Sequence, residues 1–364
     1  MGARGLAALA VVAAVATASA LGLSAGPATA APTSQASASH ASAAKHRLPT
    51  SFTWQSSGPL ISPHSDSHDI VAVKDPSVVR HKGRWYVAAS VANSSGDYSM
   101  EFLSFSTWSQ ANETTPVYAD QTAIGGSYKT APQLFYVAPQ HLWYVIYQTG
   151  DNIGYSTNPN IANPYGWSAS SYFYSGMPAI ITDNIGPGFW VDSWTICDRA
   201  DCYLFSMDDN GHLYRSQTSV RDFPNGMSEP VIAASNPARF SFFEADAVYK
   251  VANSGQYLLL VEAIASTGRR IYTSYTSNAI DGTWTPLANT ESNPFLGASN
   301  VTFTGTAWTQ DFSSGELIRD NYDQTPTINA CHLRMVYQGE DPSASGNYNL
   351  LPWRIAIATE TNRC

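Results

Sequence analysis

Short runs in which aromatic and branched apolar residues alternate with polar ones recur along most of the chain, separated by turns rich in Gly, Asn, Asp, Ser or Pro. Five runs are of one kind: Arg84-Trp85-Tyr86-Val87-Ala88, Leu142-Trp143-Tyr144-Val145-Ile146, Cys202-Tyr203-Leu204-Phe205, Gln256-Tyr257-Leu258-Leu259-Leu260 and Leu333-Arg334-Met335-Val336-Tyr337. A turn such as His81-Lys82-Gly83 or Asn253-Ser254-Gly255 precedes each, and a second alternating run follows, at residues 101–107, 152–157, 211–218, 270–277 and 353–359. Residues 46–364 carry no 3.6-residue apolar period, so the class is all-β. The units recur every 55–60 residues or so, with a longer last interval that reads as an insertion near residues 299–322. Five such units predict a five-bladed β-propeller; a β-sandwich would not repeat one unit five times.

The first 45 residues break this pattern. Residues 1–30 contain one charge, Arg4, then an Ala/Val/Leu segment and Ala28-Thr29-Ala30. A basic start, an apolar stretch and a small-x-small site predict a signal peptide and hence a secreted, extracellular protein. Residues 31–45, rich in Ser and Ala, are expected to form a flexible leader. No other segment approaches membrane-spanning length, so a membrane is not an expected partner. The formal charge of −9 argues against nucleic acid, which needs a basic patch. Ten Trp and twenty Tyr suit sugar stacking and a large β core equally well. Four cysteines in an exported chain suggest two disulfides. Cys197 and Cys202 flank a tight reversal, which favours their pairing and leaves Cys331–Cys364 to tie down the C-terminus. Zinc is not expected, because there is no C-x-x-C pair and no His at ligand spacing.

Candidate chemistry starts at Val71–Val79, V-A-V-K-D-P-S-V-V, where Asp75 is read as the opening residue of a strand. Asp-Pro alone is common turn chemistry, but the arrangement recurs at Ala131-Pro132-Gln133, Val191-Asp192-Ser193 and Phe243-Glu244-Ala245. The innermost strands of a propeller start at one mouth, so Asp75, Asp192 and Glu244 are expected to converge there with Gln133 nearby. Carboxylates sharing a shielded pocket have their pKa values driven apart. Glycosidic hydrolysis needs that division, with one acid to protonate the leaving oxygen and one carboxylate to activate water. Singly, Asp192 could satisfy backbone donors and Glu244 could be a strand-edge charge. A calcium or magnesium ion on the axis competes for the same oxygens and is compatible with hydrolysis. G-x-S-x-G, H-E-x-x-H and P-loop patterns are absent. Asp208-Asp209-Asn210-Gly211 reads as a hairpin turn.

At these residues the sequence resembles glycoside hydrolase family 62, over about Leu48 to Arg363. The likeness is carried by L-P-T-S-F-T-W at Leu48–Trp54, K-D-P-S at Lys74–Ser77, A-P-Q-L at Ala131–Leu134 and I-T-D-N-I-G at Ile181–Gly186. It continues through C-Y-L-F-S-x-D-D-N-G-H-L-Y-R-S at Cys202–Ser216, F-E-A at Phe243–Ala245, W-T-Q-D at Trp308–Asp311, Y-D-Q-T at Tyr322–Thr325, Y-Q-G-x-D-P-S-A at Tyr337–Ala344 and L-P-W-R at Leu351–Arg354. The resemblance implies a five-bladed propeller acting as an inverting α-L-arabinofuranosidase on plant cell-wall arabinoxylan or arabinan, working as a monomer. It implies Asp75 as general base, Glu244 as general acid and Asp192 as the carboxylate that orients the sugar and sustains the acid's pKa. Lys74, Gln133 and Tyr337 are implied as sugar-binding groups. The chemistry requires no cofactor, although a structural calcium on the propeller axis is part of the expectation. Thr149, Thr273 and Ser314 depart from the family pattern, which has Trp, Arg and a calcium-proximal His there. These departures are expected to alter the mouth of the pocket.

Overall fold

The computed structural model describes residues 47–363. The expected signal peptide and leader, and Cys364 with its expected bridge to Cys331, lie outside the described residues. Cys197 and Cys202 are disulfide-bonded, facing each other across an antiparallel pair.

The described chain folds into five sheets of four or five strands, the blades of a β-propeller, and a separate two-stranded sheet of Asn289–Thr290 and Asn293–Pro294; pairing in the blades is antiparallel except where Trp54–Ser56 meets Val301–Phe303 and Glu244–Val251 meets Thr327–Ile328. Blades 1 to 4 begin on the axis with Ile70–His81, Thr130–Val137, Val191–Cys197 and Glu244–Val251, and each continues outward in sequence order. The five aromatic runs are all second strands, and the runs after them are the strands next outward. One α-helix, Ala179–Asn184, occurs among the described residues.

Blade 5 departs from expectation. Its strands run Ser313–Leu317, Arg334–Gly339, Arg354–Glu360, Trp54–Ser56 and Val301–Phe303 from axis to rim. The stretch read as an insertion therefore holds the innermost and outermost strands of this blade. Its axial strand, S-S-G-E-L, has no apolar alternation to announce it. The N-terminal strand Trp54–Ser56 closes the ring by pairing with Arg354–Glu360. Trp54 is 1% exposed, and its indole N–H donates to Phe295 O at 2.6 Å. Burying such a ring stabilises the closure by roughly 3 kcal/mol or more.

Each innermost strand carries a β-bulge near the channel mouth, with register shifts at Lys74/Ser77, Thr130/Gln133, Val191/Ser193, Glu244/Ala247 and Ser313/Gly315. A bulge sets two residues against one and re-aims a side chain. The sequence reading placed Asp75-Pro76 at a strand start; it is a bulge inside a twelve-residue strand, where proline's missing N–H costs no ladder bond. Asp75, Ala131, Asp192 and Ala245 adopt φ values of 47°, 50°, 50° and 57°. Such backbone strain in residues other than glycine concentrates at functional sites.

A ring of hydrogen bonds fixes these bulges. The N–H groups of Asp75, Ala131, Asp192, Ala245 and Ser314 donate to Gln338 Oε1 (2.7 Å), Ser90 Oγ (2.8 Å), Gln148 Oε1 (2.7 Å), Asp192 Oδ2 (2.6 Å) and Glu262 Oε2 (2.8 Å). Every acceptor belongs to the preceding blade. Four of them sit on second strands, opposite the bulge; in blade 3 that position is Met207, which cannot accept, and Asp192 takes over.

Candidate active site

The bulges open into a cavity of about 1010 Å³ lined by Lys74, Asp75, Asp192, Asp209, Glu244 and Arg270, with Tyr98, Tyr128, Phe189 and Tyr348 among its aromatic walls. Phe189 and Tyr128 are 71% and 43% exposed, which leaves ring faces open to a ligand. The expected convergence of Asp75, Asp192 and Glu244 is therefore met, with one adjustment. Asp75 and Asp192 occupy the bulge position itself, whereas Glu244 precedes the bulge, as Lys74 does in blade 1.

Asp192 stands electrostatically between the other two acids. Burial pushes its carboxyl well above the usual carboxylate range, and the charges of Glu244 and Asp75 push it further. Glu244 shares the Arg270 guanidinium with Glu262, both through Nη1. Burial drives Glu262 up to about 7, against the pull of Arg270. The two carboxylates together hold Arg270 charged despite its own burial.

Lys74 lies beside Asp75 in the wall. Its Nζ donates to Tyr348 Oη at 3.1 Å and Tyr98 Oη at 3.5 Å, and stands 4.5 Å from the Tyr348 ring centroid. Burial disfavours the ammonium, but Tyr348, Asp75 and Tyr98 outweigh it, so the pKa is raised. Lys74 is a fixed cation.

Two residues expected at the sugar are elsewhere. Gln133 is 1% exposed, and its amide is consumed by Thr195, whose N–H it accepts at 2.7 Å and whose carbonyl it bonds at 2.9 Å. It lies two residues past the bulge, so it pins blade 2 to blade 3, and Ala131 takes the mouth position. Tyr337 has no exposure; its hydroxyl bonds Ser56 Oγ at 2.7 Å and its ring packs on Trp308 and Phe312. Of the three departures, Ser314 lines the cavity. Thr273 is buried in blade 4 against Val261 O (3.0 Å), and Thr149 turns into its own hairpin to bond Asn152 O (2.9 Å).

The sequence reading missed Arg270, Glu262, Asp209, Tyr348 and Asn349. Arg270 begins a third strand and Glu262 faces a bulge, so the repeat alignment held a signal for both. The Tyr348-Asn349 turn held none.

The expected calcium would sit on the axis below the mouth and takes six to eight oxygens. The channel is lined by Ser193, Asp246, Ser314 and Glu316. Glu316 is spent on Arg319, Ser77 and the Val78 N–H, and Glu262 on Arg270 and Ser314. No three His, Cys, Asp or Glu side chains gather as a metal cage among the described residues. Asp246, whose two carboxylate oxygens are buried and unpartnered, and the unpartnered Ser193 Oγ are the channel oxygens that would face such a calcium, with water completing its shell; no step below uses one.

The comparisons agree with this architecture. The model of Glycosyl hydrolase family 62 matches residues 53–359. Alpha-L-arabinofuranosidase C of Cellvibrio japonicus is 35% identical over 312 residues, covering 85% of this chain; the chain spans about half, 47%, of that relative's length. The solved catalytic domain of a Coprinopsis cinerea family 62 α-L-arabinofuranosidase is 57% identical with a TM-score of 0.85, covering 86% of this chain and 98% of its own. A Podospora anserina α-L-arabinofuranosidase, solved with cellotriose, is 49% identical with a TM-score of 0.84, over 86% and 98% of the two chains. A family 62 hydrolase solved with xylotriose is 46% identical with a TM-score of 0.84, over 86% and 99%. With its family pattern running from blade to blade and its acids gathered at one mouth, the chain belongs to glycosyl hydrolase family 62.

Proposed function

We propose that the protein is a secreted, inverting α-L-arabinofuranosidase that removes single arabinofuranosyl branches from arabinoxylan or arabinan. The observation that carries this reading is the meeting of Asp75, Asp192 and Glu244 in one cavity with two fixed cations, Lys74 and Arg270. Asp75 takes a proton from the attacking water, whose oxygen bonds to the anomeric carbon. Glu244 protonates the departing glycosidic oxygen as the old C–O bond breaks. Asp192, held high by burial and by both neighbours, hydrogen-bonds the sugar as a protonated acid. Lys74 and Arg270 hold the ring hydroxyls and the carboxylates in place as positive charge develops on the sugar. Exposed rings at the mouth supply stacking surface for a polymer backbone, and the relative solved with xylotriose supports a xylan chain there.

The test is arabinose release from wheat arabinoxylan and debranched arabinan, read by chromatography beside Glu244→Gln. NMR of the fresh product gives its anomeric configuration. Arabinose of inverted configuration from the wild type alone is expected. Retained configuration would refute the assigned mechanism, and no release from any arabinofuranoside would refute the activity.

A further inference from the structure

The hairpin turn Asp208-Asp209-Asn210-Gly211 plays no part in the chemistry above, yet it puts a further acid in the cavity beside the three already described. Its two acids are used differently. Asp208, fully buried, spends both oxygens on its own turn. Oδ1 accepts the N–H groups of Asn210 (2.9 Å) and His212 (3.1 Å); Oδ2 accepts the Tyr214 hydroxyl (2.7 Å) and stands 2.7 Å from His212 Nδ1. Gly188 lets a second loop close over the turn, since a Cβ there would lie 2.0 Å from Asp208 O. Thus locked, the turn delivers Asp209, at φ 52°, into the cavity wall. Asp209 is 8% exposed, its Oδ1 has no partner, and it lines the cavity with Glu244, whose charge and hydrogen bonding raise the pKa of its carboxyl.

Glu244 is paired with Arg270, and Asp209 lines the same cavity with a buried, unpartnered Oδ1. We propose that Asp209 is a positioning residue that shares a proton with Glu244 and so keeps Glu244 supplied with the proton it gives to the leaving oxygen. This rests on the arabinofuranosidase reading. The charged groups facing Asp209 are Glu244 and Arg270 of blade 4, Arg239 of the loop before it, and Asp192 of its own blade. Burial, then the Glu244 charge, pushes Asp209 up to about 9 against the two arginines. Asp209 therefore holds a proton through neutral pH.

In turnover that proton moves from an Asp209 oxygen to a Glu244 oxygen, and from there to the glycosidic oxygen as the C–O bond breaks. The water's proton goes to Asp75. The pair, now doubly negative, takes a proton back from solvent, and Asp75 releases one to it.

The test is Asp209→Asn, which keeps the shape and a hydrogen-bond donor but holds no titratable proton. Profiles of kcat/KM against pH are compared on an arabinoxylan oligosaccharide and on 4-nitrophenyl α-L-arabinofuranoside. Expected are an alkaline limb shifted down by about one pH unit or more and a loss of roughly tenfold or more on the oligosaccharide. The loss is small on the nitrophenyl substrate, whose leaving group needs no proton, and Asp209→Glu restores part of the limb. A uniform fall with an unmoved limb would reduce Asp209 to a structural role and overturn the proposal. Infrared difference spectra of wild type against Asp209→Asn at pH 7 read the proton without turnover. A missing protonated-carboxyl band overturns the sharing. A band in a wild type that releases no arabinose overturns the activity reading and the supply role with it, while the shared proton stands.

Discussion

Replacing Arg270 with Met removes the one cation that Glu244 and Glu262 share while keeping most of the side-chain volume. The Glu262 side chain is fully buried, and the Glu244 and Arg270 side chains are 15% and 14% exposed, so little water is on hand to replace the guanidinium. Breaking a buried pair from one side costs about 3–5 kcal/mol when the orphaned charge stays charged. Here it need not. Glu262 is already held at about 7 by burial despite the pull of Arg270, and without Arg270 its folded pKa rises further. A group with a raised folded pKa contributes stability that is complete below its unfolded pKa and is lost as pH rises through the folded one. The destabilisation of Arg270→Met is therefore small near pH 4.5, where both proteins hold Glu262 protonated, and grows above pH 7. Between pH 7 and pH 8.5 the extra loss grows to at most about 2 kcal/mol, 1.5 units at about 1.36 kcal/mol each, which corresponds to roughly 3 °C in Tm for a domain of this size. Calorimetric scans of both proteins at pH 5 and pH 8.5 measure it. A Tm difference equal at the two pH values would refute the account, because a pure packing loss has no reason to titrate.

Three further outcomes follow from the same geometry. Gln133→Leu leaves the N–H and carbonyl of Thr195 unpaired, costing roughly 2–4 kcal/mol; specific activity of the folded enzyme stays at wild type, and a selective loss of activity would return Gln133 to the sugar site. Gly315→Ala puts a Cβ 2.1 Å from Val336 O, where backbone must move, and is expected to cost roughly 1–3 kcal/mol in thermal unfolding; an unchanged Tm would show that the axial strand of blade 5 gives way freely. Asp75→Ala lowers kcat on arabinoxylan by about a hundredfold or more with Tm nearly unchanged, and full activity would remove it as the base.

The sequence disclosed the repeat because second strands, buried on both faces, must carry aromatic runs. It hid the axial strand of blade 5, because S-S-G-E-L serves polar needs on the axis: Ser314 N–H to Glu262, Glu316 to Arg319, and Gly315 against Val336 O. The three acids were legible since each lies at or beside the same bulge. Their alignment was off by a residue or two, because a bulge adds one residue that simple strand counting does not see. Gln133 and Tyr337 were misplaced for different reasons. A polar residue near the mouth looks available for sugar, yet Gln133 is consumed by the backbone of Thr195 on the next inner strand, while Tyr337, on a second strand, is buried against Trp308 and Phe312 with its hydroxyl on Ser56 Oγ. Asp209 reaches the site from a turn tip, where sequence order gives no hint of depth, whereas Arg270 opens a third strand, a position the repeat marks.

The ring of bulge hydrogen bonds explains why the third carboxylate is an Asp in blade 3 in particular. In the other four blades a second-strand side chain accepts the N–H of the next bulge, leaving the bulge residue free. Met207 cannot do this, so the carboxylate of Asp192 accepts the Ala245 N–H while its own N–H is held by Gln148. One oxygen of Asp192 is thereby fixed to the residue after Glu244, and the other remains for the cavity. The orientation of Glu244 is thus tied through one short bond to the residue that also feels the charge of Asp75. On the proposed assignment, acid and base sit on non-adjacent blades of the ring, with Asp192 between them feeling both charges. A propeller holds the separation of Asp75 and Glu244 rigidly because each bulge is clamped by the blade before it, and under the proposed inverting mechanism that fixed gap is what admits the water.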